Sequence, residues 1–230
     1  MHAVTFTDAE SNVLRTLHVA DGTLFGDVQK PEFPNSYYYY NCDSTYYYYG
    51  WQMANGTLMN DNDAITADLT VTYAREYLLP VAVGSGLDIA PVTDTELIRN
   101  VPTGLTVADM KALLQNNPAT MTFKQYDENY GSWEPLDDTD PIGTGTIVTI
   151  ESAYDGSYLS EYTLVVPGDV TGDGLANSDD YNELKALILE NDTCYLYTKS
   201  WSVAYEYGVD FNGDQILDVL DLRAMKRLLA

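Results

Sequence analysis

Basic residues, histidine and cysteine are all scarce in this chain, and each shortage argues against a class of function. Lys and Arg number 11 against 35 Asp and Glu, which leaves a formal net charge of −24. A surface of that sign repels phosphate backbones and anionic headgroups, so neither nucleic acid nor a membrane surface is an expected partner, whereas cations are. The two histidines, His2 and His18, come with no HExxH, no Gly-rich phosphate loop and no nucleophile motif, so the chain is not expected to be an enzyme. Paired carboxylates of the glycoside-hydrolase kind remain compatible with so many acids, but no segment has the size such a cleft needs. Cys42 and Cys194 are too few for a disulfide framework and lack metal-ligand spacing; both are expected to be free thiols. No run approaches the roughly 20 apolar residues of a membrane span. The opening MHAVTFTDAE has neither a basic nor an apolar leader region, and it enters a strand-like pattern at once. The sequence therefore reads as a piece of a larger exported protein whose signal lies elsewhere. Secreted, extracellular placement is the expectation.

What is present divides into three segments: a β-rich one over 1–80, an α+β one over 81–167 and a repeat-bearing one over 168–230. In the first, VTFTD and VLRTLHV alternate around a turn at Ser11 and Asn12, and ITADLTVTY from Ile65 closes the segment. Two tyrosine runs, Tyr37 to Tyr40 and Tyr46 to Tyr49, flank NCDST and suggest a hairpin. Its alternate rings either pack into a sheet or stack on sugar rings; the second option makes a polysaccharide the alternative partner. The order strand, turn, strand, DGTLFGDVQKPEFP, Gly50–Trp51 and a final ITADLTVTY resembles the Listeria–Bacteroides repeat of bacterial surface proteins, which implies a β-grasp-like module.

In the second segment Thr106 is an N-cap with Asp109 three residues on. Val107, Met110, Leu113 and Leu114 supply the apolar face, and Asn116, Asn117 and Pro118 the stop. Strand-like runs begin at Met121, Gly145 and Tyr162. Asp137, Asp138 and Asp140 read as solvated turns. LIRNVPTGLTVADMKALLQN with the later IGTGTIVTI is similar to the accessory modules that precede dockerins in gut clostridial proteins, which implies a spacer or adaptor.

The third segment carries an internal repeat, DVTGDGLANSDD from Asp169 and DFNGDQILDVLD from Asp210, each followed by an apolar-periodic stretch. Oxygen donors fall at loop positions 1, 3, 5, 9 and 12, with position 7 offering its carbonyl, the alternation by which a tightly wound loop surrounds Ca²⁺ with six to eight hard oxygens at about 2.3–2.6 Å. The ligands of the first loop are then Asp169, Thr171, Asp173, the Leu175 carbonyl, Asn177 and Asp180. Those of the second are Asp210, Asn212, Asp214, the Ile216 carbonyl, Asp218 and Asp221. Two Ca²⁺ ions are expected. Thr171 offers a neutral hydroxyl at position 3, and Gln215 takes a position 6 where Gly would enter positive φ freely, at about 1 kcal/mol. Helix stripes follow the loops: Tyr181, Leu184, Leu187 and Ile188 after the first, Leu222, Met225, Leu228 and Leu229 after the second. VVPG and YEYGV, which precede the loops, do not read as helices.

Two such loops, each leading into a helix and closed by Asp rather than Glu, resemble a dockerin, the cohesin-binding module of cellulosome-type assemblies. The resemblance implies an all-α fold with two EF-hand-like motifs, calcium dependence and a cohesin partner on a cell-surface scaffold. It places the partner face at Ser178, Asp179, Asn182, Lys185 and Ala186 in the first copy and at Val219, Leu220, Arg223, Lys226 and Arg227 in the second. The two faces differ in polarity, so a single binding orientation is expected, anchored on Val219 and Leu220 unless these are buried. The stretch NDTCYLYTKSWSVAYEYG between the copies is longer than the family's usual linker. Its Tyr195, Tyr197, Trp201, Tyr205 and Tyr207 are expected to pack over the helices.

Overall fold

The structure, a computed structural model, describes residues 1–34, 46–77, 86–89, 96–114, 120–127, 130–190, 202–211, 214 and 216–229. Tyr37 to Tyr40, Cys42, Asn116 to Pro118, Cys194, Tyr195, Tyr197, Trp201, Asn212 and Gln215 lie outside the described residues. The chain forms two compact units, Met1–Leu78 and Leu79–Ala230.

In the first unit, strands β1 (His2–Thr7), β2 (Val13–Val19), β4 (Tyr46–Gln52) and β6 (Leu69–Tyr77) form one sheet in the order β2-β1-β6-β4. Short strands β3 (Thr23–Leu24) and β5 (Ala64–Ile65) pair separately. The β1–β2 hairpin turns at Ser11, whose φ of 68° is supported by Asp8, whose carboxylate accepts from the backbone of Glu10 and Asn12. β1 then runs parallel to β6. Period-two alternation puts Val4 and Phe6 on the covered face, where Phe6 meets the Trp51 ring edge-on at 4.8 Å, with Phe25, Tyr48 and Tyr73 completing the cluster. The tyrosines of β4 are divided by the same alternation. Tyr48 is buried, and Tyr46 lies under the Arg75 guanidinium at 3.7 Å. Tyr47 and Tyr49 pair with each other at 6.3 Å.

The second unit is built on six strands: β7 (Asp88–Ile89), β8 (Leu97–Arg99), β9 (Met121–Asp127), β10 (Ser132–Pro135), β11 (Ile147–Glu151) and β12 (Tyr158–Leu164). Their order is β10-β9-β11-β12-β8-β7, with β12 antiparallel to β11 and parallel to β8. Helix α1 (Val107–Leu113) begins with a capping box: the Thr106 hydroxyl accepts from the Asp109 N–H, and the Asp109 carboxylate accepts from the Thr106 N–H. After the sheet come α2 (Ser178–Glu190), α3 (Ser202–Val209) and α4 (Val219–Leu228).

The expected architecture, a β-grasp-like module and a small α+β module followed by a free-standing all-α one, is corrected here. The described residues carry three sheets and only four short α-helices, and the last third of the chain is part of the same compact unit as the six-stranded sheet. The physical reason is burial. Three short helices enclose a modest core of Val170, Leu184, Leu187, Tyr205, Val209 and Met225, and further apolar surface is removed from water where Ala204 of α3 packs with Leu97 and Val165 of the sheet body.

The segment before the second loop is a second correction. YEYGV does not read as helical, yet Ser202–Val209 is an α-helix. Gly208 lies inside it at an intrinsic cost of about 0.5–1 kcal/mol relative to Ala. Tertiary packing outweighs that cost: Ala204, Tyr205 and Val209 are buried, and the Gly208 carbonyl accepts from the Gly168 N–H at 3.2 Å.

Candidate metal centre

Asp169 follows β12 by a few residues, so its position is set by the end of an interior strand from which the chain emerges. Its carboxylate is wholly buried and accepts three backbone N–H groups: Gly172 at 2.7 Å on Oδ1, with Gly174 at 3.0 Å and Thr144 at 2.7 Å on Oδ2. Gly172 and Gly174 have φ of 86° and 84°, which winds the loop tightly enough for those N–H groups to point inward. Asp180, on the first turn of α2, is also wholly buried. Its Oδ1 accepts from the Val170 and Thr171 N–H groups and the Thr171 hydroxyl, each at 2.9 Å, and its Oδ2 from the Asn177 N–H at 2.9 Å.

Together with Asp173 these acids bring one carboxylate oxygen each to within 4.8 Å of one another. Two oxygens on opposite sides of a calcium ion are separated by about 4.6–5.2 Å, so the set fits the coordination envelope of that ion. The donor chemistry also fits, being all oxygen and largely anionic. Burial pushes the Asp169 carboxyl up to about 6, against three backbone hydrogen bonds that hold it down, and the Asp180 charge adds to the rise. Two buried carboxylates so close, with no basic side chain against them in the donor set, favour a divalent cation.

Four hydrogen bonds of the first loop recur in the second, while the bonds to the position 1 carboxylate differ. Position 2 N–H reaches position 12 Oδ1 at 2.9 Å in both, Val170 to Asp180 and Phe211 to Asp221. Position 7 N–H reaches position 5 at 2.9 Å in both, Leu175 to Asp173 and Ile216 to Asp214. Position 9 N–H reaches position 12 Oδ2 at 2.9 Å from Asn177 and 3.0 Å from Asp218. Position 11 N–H reaches the position 9 side chain at 2.7 Å from Asp179 and 2.6 Å from Leu220. Asp210 is half-buried and accepts from the Asp214 N–H at 3.2 Å, while Asp221 is wholly buried. Among the described residues no set of three acids other than Asp169, Asp173 and Asp180 closes to that distance.

The residues assigned to a partner face lie on the surface. Ser178, Asp179, Asn182 and Lys185 are exposed and Ala186 is half-buried. Val219 is 63% and Leu220 48% exposed, so the alternative that they are buried is set aside, and Arg223, Lys226 and Arg227 are exposed beside them. Of the stripe expected on α4, Met225 is buried and Leu222 half-buried, but Leu228 and Leu229 are exposed. Tyr205 packs in the helical core as expected, whereas Tyr207 stays 40% exposed, with the Arg99 guanidinium over its ring at 5.1 Å.

Sequence reasoning missed the residues that hold the first loop from outside. Gln125 on β9 donates to the Gly172 carbonyl at 2.6 Å, and the Gly104 N–H donates to the Gly174 carbonyl at 2.8 Å. The Thr144 N–H reaches Asp169 as described above. No motif links these positions to the loop, because the fold alone makes them neighbours. Compared with protein-family models, with curated proteins and with solved structures, the chain matches none.

Proposed function

We propose that the C-terminal part of the second unit is a calcium-organised docking device that attaches an exported protein to a partner of the cohesin kind, without catalytic activity of its own. The carrying observation is the repetition, in both loops, of the bonds from positions 2 and 9 onto a position 12 carboxylate that is buried in both, Asp180 and Asp221. An acidic turn that was merely solvated would have no reason to bury its last carboxylate twice in the same way. Two calcium ions are the proposed cofactors, and the chain's net charge of −24 concentrates cations near the loops before binding.

The face offered to the partner starts at the second loop and continues along α4. Ile216, Val219 and Leu220 form an exposed apolar centre, with Arg223, Lys226 and Arg227 beyond it. An apolar centre with a charged rim suits a specific interface, and the more polar first-copy face suits a single orientation of binding. The calcium loop fixes the start of α4, because Asp218 caps that helix while its own N–H donates to Asp221. Ion binding therefore shapes the surface that is read.

The test is a pulldown of the full chain against a panel of cohesins, run in millimolar calcium and again in chelator. Retention in calcium that is lost in chelator is the expected result. Absence of retention on every cohesin, in a chain that calorimetry finds to bind no calcium, removes the reading.

A further inference from the structure

We infer that the β-sheet of the second unit is a working part of the first calcium loop, with Gln125 and Thr144 as positioning residues that set its affinity. This inference rests on the calcium reading above.

Three contacts from outside the loop carry it, one to the position 1 carboxylate and two to loop carbonyls. The Thr144 N–H donates to Asp169 Oδ2 at 2.7 Å, which aims the position 1 carboxylate. The Gln125 side-chain amide donates to the Gly172 carbonyl at 2.6 Å, which fixes the peptide between positions 4 and 5 and so the approach of Asp173. The Gly104 N–H donates to the Gly174 carbonyl at 2.8 Å and holds the positive-φ turn at position 6. Thr144 is itself locked, because its hydroxyl donates to the Val166 carbonyl and accepts from the Val166 N–H, both at 3.1 Å. The frame thus runs from the segment before β11, through the chain that leaves β12, into the first ligand.

A calcium loop binds most tightly when its oxygens already stand where the ion needs them, since ordering the loop otherwise subtracts from the binding free energy. Partners that orient metal ligands from behind are commonly worth about 10- to 100-fold in metal affinity. The linkage is reciprocal: whatever the sheet adds to ion affinity, the ion adds to the population in which the sheet grips the loop. Calcium at the first loop should therefore tighten β9 and β11, which are remote in sequence from every ligand.

The experiment is a calcium titration of the full chain by calorimetry, comparing the unaltered protein with Gln125→Met, which keeps side-chain length and loses the donor. The expected result is that one of two sites weakens about 10-fold or more while the other is unchanged. Equal affinities in the two proteins, or an equal loss at both sites, overturns the inference while leaving the calcium reading intact. No calcium binding by the unaltered chain removes the calcium reading itself. A second measurement covers a variant that does not fold: hydrogen exchange of the unaltered chain with and without calcium. Slower exchange over residues 121–127 and 147–151 in calcium supports the coupling, and exchange there that ignores calcium overturns it.

Discussion

Replacing Asp180 by Asn separates a structural acceptor from a metal ligand, because only the second role makes the cost of the substitution depend on calcium. The substitution keeps the shape and one oxygen, which can still accept from Val170 and Thr171. It turns an amide NH₂ toward the Asn177 N–H that Oδ2 now satisfies, a buried donor clash costing about 1–3 kcal/mol. In chelator that loss is offset, because the Asp169 and Asp180 oxygens lie within 4.8 Å and their mutual repulsion is about 3.5 kcal/mol at an effective dielectric constant near 20. The net change without calcium is therefore small, about 0.5–2.5 kcal/mol in the variant's favour. In calcium the unaltered protein gains about 2.7 kcal/mol per site at a hundredfold excess over Kd, and the variant forgoes most of that at the first site. For a unit of this size the gap corresponds to roughly 5–11 °C in Tm. Thermal melts followed by near-UV circular dichroism, with calcium and with chelator, measure it. Equal destabilisation in both conditions would refute the argument, since Asp180 would then be a buried acceptor only.

Three further outcomes follow from the same geometry. On the proposed docking reading, Val219→Asp with Leu220→Asp should weaken cohesin binding by about 100-fold or more while leaving calcium binding intact, as surface plasmon resonance will report, because two carboxylates at the centre of an interface would be buried without partners. Phe6→Ala should cost the first unit about 3–5 kcal/mol by emptying the space against Trp51, which chemical denaturation of residues 1–78 reads as a lower midpoint. Thr106→Ala should cost about 0.5–2 kcal/mol at the start of α1. The backbone and hydroxyl of Thr106 hold the Asp109 carboxyl below its ordinary value, so the cap's contribution is present above the usual Asp range and is lost as pH falls through the lowered value. An acid titration of stability, compared between Thr106→Ala and the unaltered chain, checks that sign.

Local signals were the legible ones. Val13–Val19 forms a strand where its alternation placed it, Thr106 caps a helix where a capping box was read, and α2 buries Leu184 and Leu187 on the stripe assigned to them. The repeat of the two loops was legible for the same reason, since the spacing of their acids is a property of a dozen consecutive residues. Relations between distant segments were not. Leu97–Arg99 is too short a run to declare itself, yet it pairs in parallel with β12. Helix α3 contains Gly208 and weak amphipathicity, and exists because Tyr205 and Val209 find a core to enter. Most tellingly, the tie between Gln125 and Gly172 spans two segments that sequence reading assigned to different modules, so the embedding of the repeat in a sheet could not be foreseen.

The placement of β12 has a mechanical consequence. A tether that grips α4 while the rest of the polypeptide is dragged away loads the chain through Asp169 directly into β12, which is flanked on one side by β11 and on the other by β8. Tension along that strand must shear two ladders at once instead of unzipping one bond after another. Resistance to pulling is set by how fast such a barrier is crossed. The end of this chain that the docking reading gives to a partner thus joins the body through a strand paired on both sides.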